Sequence, residues 1–140
     1  MRVKIVDDRA RKYLRPGPAL PGDAGLDLPV LEAATLRFGQ VQALRTGIAV
    51  EIPNGYVGII RERSGWAMQG VKVLGGVIDS GYRGEIYVVA TVLVPEKRIV
   101  QPGDRVAQLI LMRIALPYVE IIDELTPSAR GARGFGSTGR

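Results

Sequence analysis

Gly75-Gly76-Val77-Ile78-Asp79-Ser80-Gly81-Tyr82-Arg83-Gly84-Glu85-Ile86 is followed directly by the β-branched run Tyr87-Val88-Val89-Ala90-Thr91-Val92. Apolar residues also lead into it, so the pattern reads as two strands joined by a glycine-rich turn. Paired Gly75 and Gly76 allow backbone conformations that side chains forbid and let a flat ligand approach the main chain. Asp79 stands at the tip, with Tyr82 and Arg83 just beyond. A carboxylate, a ring and a guanidinium on one short turn suit a phosphorylated ring compound. A plain polar hairpin turn is the other reading.

Upstream of this stretch, the segments are short and alternate apolar with polar. Val3-Lys4-Ile5-Val6 reads as a first strand, and the charged run Asp8–Arg15 as a solvated surface stretch. Pro16-Gly17-Pro18 and Pro21-Gly22-Asp23 break regular structure. In Ala24-Gly25-Leu26-Asp27-Leu28 an acid stands between two leucines, so it is either buried with a partner or turned towards a site. Three further pieces follow, Thr35–Phe38, Gln40–Leu44 and Ile48–Ile52, separated at Gly39 and Gly47. Past Pro53-Asn54-Gly55, Tyr56–Ile60 is another strand. Only Ser64–Gln69 has room for a helical turn. In Arg61-Glu62-Arg63-Ser64-Gly65-Trp66-Ala67, Ser64 either caps that turn or offers an anion its hydroxyl and nearby N–H groups.

Downstream, Arg98–Gln101 and Arg105–Met112 read as strands, with Gln108 an amide that needs a partner if buried. Tyr118–Ile122 reads as the last strand. Short strands at close spacing with hardly any helical periodicity give an all-β sandwich or barrel with at most one short helix. Composition changes at Thr126-Pro127, which divides the chain into a β domain over 1–126 and a tail over 127–140. Arg130–Arg140 is mostly glycine, arginine and hydroxyl residues, too polar to order itself. It is either a flexible end or a lid that orders on a ligand, supplying cations and N–H donors to phosphate and the Phe135 ring to a base.

With 140 residues the chain fits one domain with a real core. No apolar run approaches a membrane span, and Met1-Arg2-Val3-Lys4 lacks the apolar region of a signal peptide. The expected location is the cytoplasm, with no membrane partner. Cysteine and histidine are both absent. That excludes disulfides, thiolate chemistry, a Ser-His-Asp triad and imidazole metal sites. Acid–base work falls to Asp, Glu, Lys or Tyr, and a metal would be a hard cation on oxygen. A net charge of +5, carried mostly by arginine, suits either a polyanionic ligand or a general arginine bias. Basic residues are scattered and aromatics few, so no nucleic-acid partner is expected.

Five stretches in order match one family: Ala24–Leu28, Arg63–Ala67, Gly76–Glu85, Gly103–Ile110 and Arg130–Gly139. Over nearly its whole length the chain resembles the trimeric deoxyuridine triphosphatases (dUTPases). The resemblance implies a jelly-roll-like β-sandwich or barrel, the dUTPase β-clip, assembled as a homotrimer with active sites at subunit interfaces. It implies hydrolysis of dUTP to dUMP and pyrophosphate with Mg2+ on the triphosphate, held through water rather than by protein ligands. That reaction would limit uracil incorporation into DNA and supply dUMP for thymidylate synthesis.

Carried over residue by residue, Asp79 would orient and deprotonate the attacking water. Gly76 through Tyr82, Val77, Ile78 and Asp79 included, would form the uracil and deoxyribose pocket, largely through main-chain groups, Tyr82 leaving no room for a 2′-hydroxyl. Arg63, Ser64 and Gly65 would hold phosphate oxygens, assisted by Gln108. Arg130 would clamp the γ-phosphate, Phe135 would stack on uracil, and Gly136, Ser137 and Thr138 would bind phosphate. Asp27 would support the site or the trimer contact.

The residue chemistry agrees. Water attack on a phosphoanhydride needs an oriented water, a base and charge neutralisation, but no covalent nucleophile. An exposed carboxylate is a weak base, so the substrate and tail must desolvate Asp79, or it mainly orients the water. Main-chain groups of a hairpin can mimic a pairing edge for uracil, which cytosine would mismatch. Departures from the family pattern are Glu62 for proline, Trp66 for a smaller apolar residue, Gly81 for Asp, Arg133 for glycine and Val92 for asparagine. A dCTP deaminase shares the fold but needs a catalytic glutamate and a different motif beside the serine. Ser64-Gly65-Trp66 and the tail favour the hydrolase.

Overall fold

The computed structural model describes residues 1–17 and 20–133. Its strands in chain order are β1 (Arg2–Ile5), β2 (Gly25–Pro29), β3 (Ala34–Leu36), β4 (Gln42–Glu51) and β5 (Tyr56–Glu62). After the short helix α1 (Ser64–Ala67) come β6 (Val71–Val73), β7 (Val77–Ile78), β8 (Glu85–Val92), β9 (Arg98–Val100) and β10 (Arg105–Arg113). Two four-stranded antiparallel sheets, ordered β1-β4-β8-β6 and β2-β10-β5-β7, are accompanied by the pair β3-β9.

Alternation builds the core. On β8, Ile86, Val88, Ala90 and Val92 turn inward and are fully buried, while Glu85, Tyr87 and Val89 face the other way. They meet Leu44, Ile48 and Val50 of β4, and Leu26, Leu28, Ile60, Val106 and Leu109 of the second sheet, in one cluster. Each buried valine, leucine or isoleucine contributes about 1.5–3 kcal/mol by leaving water. The fold is the all-β jelly-roll class expected, with one helix of four residues among the described residues.

Four local expectations need correction. Gly47 does not divide two strands: β4 runs through it, with the register against β8 shifting between Arg45 and Ala49. Gly47 has φ +70°, and a Cβ there would come within 2.8 Å of Leu31 Cδ1 and 3.0 Å of Ala10 Cβ. The glycine therefore permits a bulge and a close approach without ending the strand. The second correction concerns Asp8–Lys12, which is a 3-10 turn rather than a bare solvated stretch. Asp7 caps it by accepting from the Arg9 N–H at 3.1 Å, and it buries Ala10.

The opening stretch differs too. Its lead-in β6 pairs with β8, Val71 opposite Val92, as a hairpin requires. The connection is long, however, and within it Val77 and Ile78 leave that hairpin to pair with Ile59 and Gly58 of β5 in the other sheet. Finally, Tyr118–Ile122 forms no strand. Tyr118, Val119 and Ile121 are almost wholly exposed, because no edge of this chain is paired with them.

Candidate active site

Of the sequence-predicted residues, Asp27, Arg63, Ser64, Gly76, Val77, Ile78, Asp79, Tyr82 and Gln108 line two cavities that share no lining residue, and Gly65 and Arg130 line neither. The first, about 240 Å³, is bounded by Gly76, Val77, Ile78, Asp79 and Tyr82 of the long connection, Ile60 of β5, and Glu85, Tyr87 and Val89 of β8. Gly76 holds its wall in place. Its φ is +86°, its carbonyl accepts from the Ile60 N–H at 2.7 Å, and an added Cβ would lie 2.8 Å from the Ile60 carbonyl oxygen. No residue but glycine fits there without strain. Asp79 is exposed at the tip, and its carbonyl accepts from the Tyr82 N–H at 3.1 Å to close the turn.

Tyr82 is pinned. Its hydroxyl donates to the Glu85 carbonyl at 2.9 Å, and its ring crosses Gly84 so closely that a Cβ there would come within 2.6 Å of Cζ. Glu85 is fixed in turn from β4: Arg45 donates to its carboxylate through Nε and Nη2, and Gly47 N–H donates at 2.9 Å. Arg45 also lies 3.6 Å from both Asp7 and Glu32. Asp7 is held down to about 2, first by its side-chain hydrogen bond with Arg9, then by the Arg9 N–H, with Arg9 and Arg45 charges adding. Arg83 turns back, donating to the carbonyls of Ser80 and Tyr82 at 2.6 and 2.9 Å.

The second cavity, about 180 Å³, is lined by Asp23, Ala24, Gly25, Asp27, Arg63, Ser64 and Gln108. Strand register brings them together, since Gln108 on the central strand β10 lies opposite Asp27 on β2 and Arg61 on β5. Gly25 leaves room for Gln108, whose Oε1 a Cβ would meet at 2.7 Å. Arg63 N–H continues the ladder to the Val106 carbonyl at 3.0 Å, and its Nε lies 3.1 Å from Asp27 Oδ1. Arg105 approaches the other Asp27 oxygen at 3.6 Å. Asp27 thus combines the two readings left open for it: it is paired with guanidiniums and it lines the cavity.

Ser64 is not the cap of α1. Arg63 occupies that position with extended backbone and no side-chain capping bond, so Ser64 is the first helical residue. Ser64 and Gly65 are exposed at the start of the turn, where the first N–H groups lack intrahelical acceptors. Trp66 packs its ring against the core, which accommodates the larger residue.

Arg130 lines neither cavity. It sits in a local turn in which it donates to the Arg133 carbonyl while Arg133 donates back to the Arg130 carbonyl and to Ala129. Phe135, Gly136, Ser137 and Thr138 lie outside the described residues. Among the described residues, no three Asp, Glu, His or Cys side chains converge on a metal-sized site, and no helix is long and apolar enough to cross a membrane. Sequence reasoning missed the Arg45–Glu85 anchor and Tyr87 at the first cavity. It also gave Glu62 no partner, whereas Lys72 Nζ lies 2.9 Å from its carboxylate. Alternation along β8 could have placed Tyr87 beside Glu85, but nothing local marks the charge pairs.

Comparison with known proteins bears on this arrangement. The dUTPase family model matches residues 12–139. Deoxyuridine 5'-triphosphate nucleotidohydrolase of Thermobifida fusca is 45% identical over 128 residues, covering 89% of this chain and 72% of the relative. That of Paramecium bursaria Chlorella virus 1 is 45% identical over 120 residues, covering 84% of each. Among solved structures, a mutant dUTPase of Staphylococcus bacteriophage 80alpha with dUpNHpp superposes with a TM-score of 0.86 at 27% identity, covering 99% of this chain and 98% of that one. With a family model spanning nearly the whole sequence and relatives this similar over most of their own length, the chain belongs to the dUTPase family.

Proposed function

We propose that the protein hydrolyses dUTP to dUMP and pyrophosphate by water attack on the α-phosphorus. The observation that carries the reading is Asp79, exposed at the mouth of a cavity walled by the Gly76–Ile78 main chain and the fixed ring of Tyr82. The main-chain edge reads uracil, and Tyr82, held at its hydroxyl by the Glu85 carbonyl, excludes a 2′-hydroxyl. Asp79 orients the water and takes its proton. Arg63, Ser64 and Gln108 hold phosphate oxygens in the second cavity, with Gly65 beside it at the start of α1 and Asp27 aligning the Arg63 guanidinium. Tail residues Arg130, Phe135, Gly136, Ser137 and Thr138 complete the enclosure, residues 127–140 acting as a lid on the domain over 1–126.

Mg2+ is proposed as cofactor, and it would neutralise charge on the triphosphate oxygens. The donor set fits an ion carried by substrate, because Asp27 is already occupied by two guanidiniums and no acidic cluster exists among the described residues. We further propose a homotrimer with shared sites. In support, base and phosphate cavities have no residue in common within a chain, and residues 114–125 present Leu116, Tyr118, Val119, Ile121 and Leu125 to solvent. A chain without cysteine asks nothing of an oxidising compartment, which fits a cytoplasmic enzyme that limits uracil in DNA and supplies dUMP for thymidylate. The test is pyrophosphate release with magnesium from dUTP, dCTP, dTTP and UTP. Strong preference for dUTP is expected, and equal turnover of all four would refute the assignment.

A further inference from the structure

At one corner of the sandwich, β5 of one sheet comes against β6 of the other. Glu62, the last residue of β5, is largely buried there, its side chain 12% exposed. Its carboxylate takes Lys72 Nζ at 2.9 Å through one oxygen and the Val73 N–H at 3.4 Å through the other, with Arg61 at 3.9 Å. Burial pushes the Glu62 carboxyl up, but the Lys72 ammonium and the backbone N–H donors outweigh it and hold the group below its ordinary value. The Glu62 carboxylate is therefore charged at neutral pH. One residue beyond Glu62 the chain leaves the sheet as Arg63 and Ser64, the phosphate-facing residues. Arg63 itself is tied to Val106 and Asp27 on the β2–β10 side and, through its carbonyl, to the Trp66 and Ala67 N–H groups of α1 at 3.0 and 2.9 Å, and none of these contacts reaches β6. Only the Glu62 carboxylate does that directly through polar contacts among the described residues.

We propose that Glu62 is a positioning residue for phosphate recognition: its ion pair with Lys72 sets the direction in which β5 hands over to α1, and so aims Arg63 and Ser64 at the triphosphate. Glu62 touches no substrate itself. It acts on a half-buried corner where losing a charge-assisted bond loosens two ligands at once. The inference rests on the dUTPase reading, and its test separates the two.

Glu62→Gln keeps the shape of the side chain and removes its charge, and Lys72→Met removes the partner. Affinity for dUpNHpp and for dUMP is measured by calorimetry, with KM and kcat for dUTP and thermal unfolding at one protein concentration. Each single variant is expected to weaken dUpNHpp by about fivefold to tenfold and raise KM alike, with kcat and dUMP affinity within about twofold. The double variant should be no worse than the poorer single one, since the two groups act as a unit. Unchanged dUpNHpp affinity in both singles overturns the proposal. So do additive effects in the double variant, or equal loss of dUMP and dUpNHpp together with lowered thermal stability, which marks a merely structural corner. A wild-type protein that binds dUpNHpp but leaves dUTP intact refutes the catalytic reading and leaves the clasp measurable. If the wild-type protein binds no dUpNHpp, both fall.

Discussion

Gly76→Ala is the sharpest perturbation of the base cavity, because its neighbour supplies a control. At Gly76 the backbone has φ +86°, which costs a residue bearing a Cβ about 1–2 kcal/mol. The new methyl would also stand 2.8 Å from the Ile60 carbonyl oxygen and 3.2 Å from Ile60 Cβ. Backbone cannot yield as a flexible side chain can, so the loop must back away and stretch the 2.7 Å bond from Ile60 N–H to Gly76 O, worth about 1 kcal/mol. The total is about 2–3 kcal/mol, or roughly 6–10 °C in melting temperature for a domain of this size. Gly75→Ala has φ +64° with open space around its Cβ, so it carries only the conformational cost of about 1 kcal/mol and about 3 °C. Displacement of the Gly76–Ile78 wall should also lower kcat/KM for dUTP by at least about tenfold in Gly76→Ala and only slightly in Gly75→Ala. Calorimetric unfolding at matched concentration and initial-rate kinetics check both. Equal behaviour of the two variants would show that contact with Ile60 does not set the cavity wall.

Three other outcomes are expected. Asp79→Asn keeps affinity for dUpNHpp but lowers kcat by about 10²-fold or more, and an unchanged kcat would place the base elsewhere. Deleting the chain after Pro127 removes efficient dUTP turnover while leaving the melting temperature of the β domain nearly unchanged, and a large thermal loss would make the tail structural. Asp7 titrates at about 2 in the folded protein against an ordinary 3.8, so the folded state binds fewer protons between those values. Its contribution is present above about pH 4 and fades as pH falls towards 2, so wild-type melting temperature should drop over that range and that of Asp7→Asn should drop less.

The alternating strands were legible because one face of each is buried. Ile86, Val88, Ala90 and Val92 declare β8 without help from any other part of the chain. Gly47 misled because glycine signals both a break and a bulge, and only the packing of Ala10 and Leu31 over it decides which. Tyr118–Ile122 has a strand pattern with no edge to join, a property of neighbours rather than of the segment. Residues that share a cavity were legible where they cluster in sequence, as from Gly76 to Tyr82. The Arg45–Glu85 anchor spans 40 positions and the Glu62–Lys72 clasp joins different sheets, so neither leaves a local trace.

The division of the site into two cavities without a common residue has a genetic consequence. With the roles proposed above, a lesion at Asp79 would spoil the first cavity of its own chain and leave the second sound, and a lesion at Arg63 would do the reverse. In a shared-site trimer, two such chains, each inactive when pure, regain activity when co-expressed, because some assemblies then pair the sound half of one with the sound half of the other. In the proposed shared-site trimer the unit of inheritance for this activity would thus be half a site, and recessive defects in the two halves would complement.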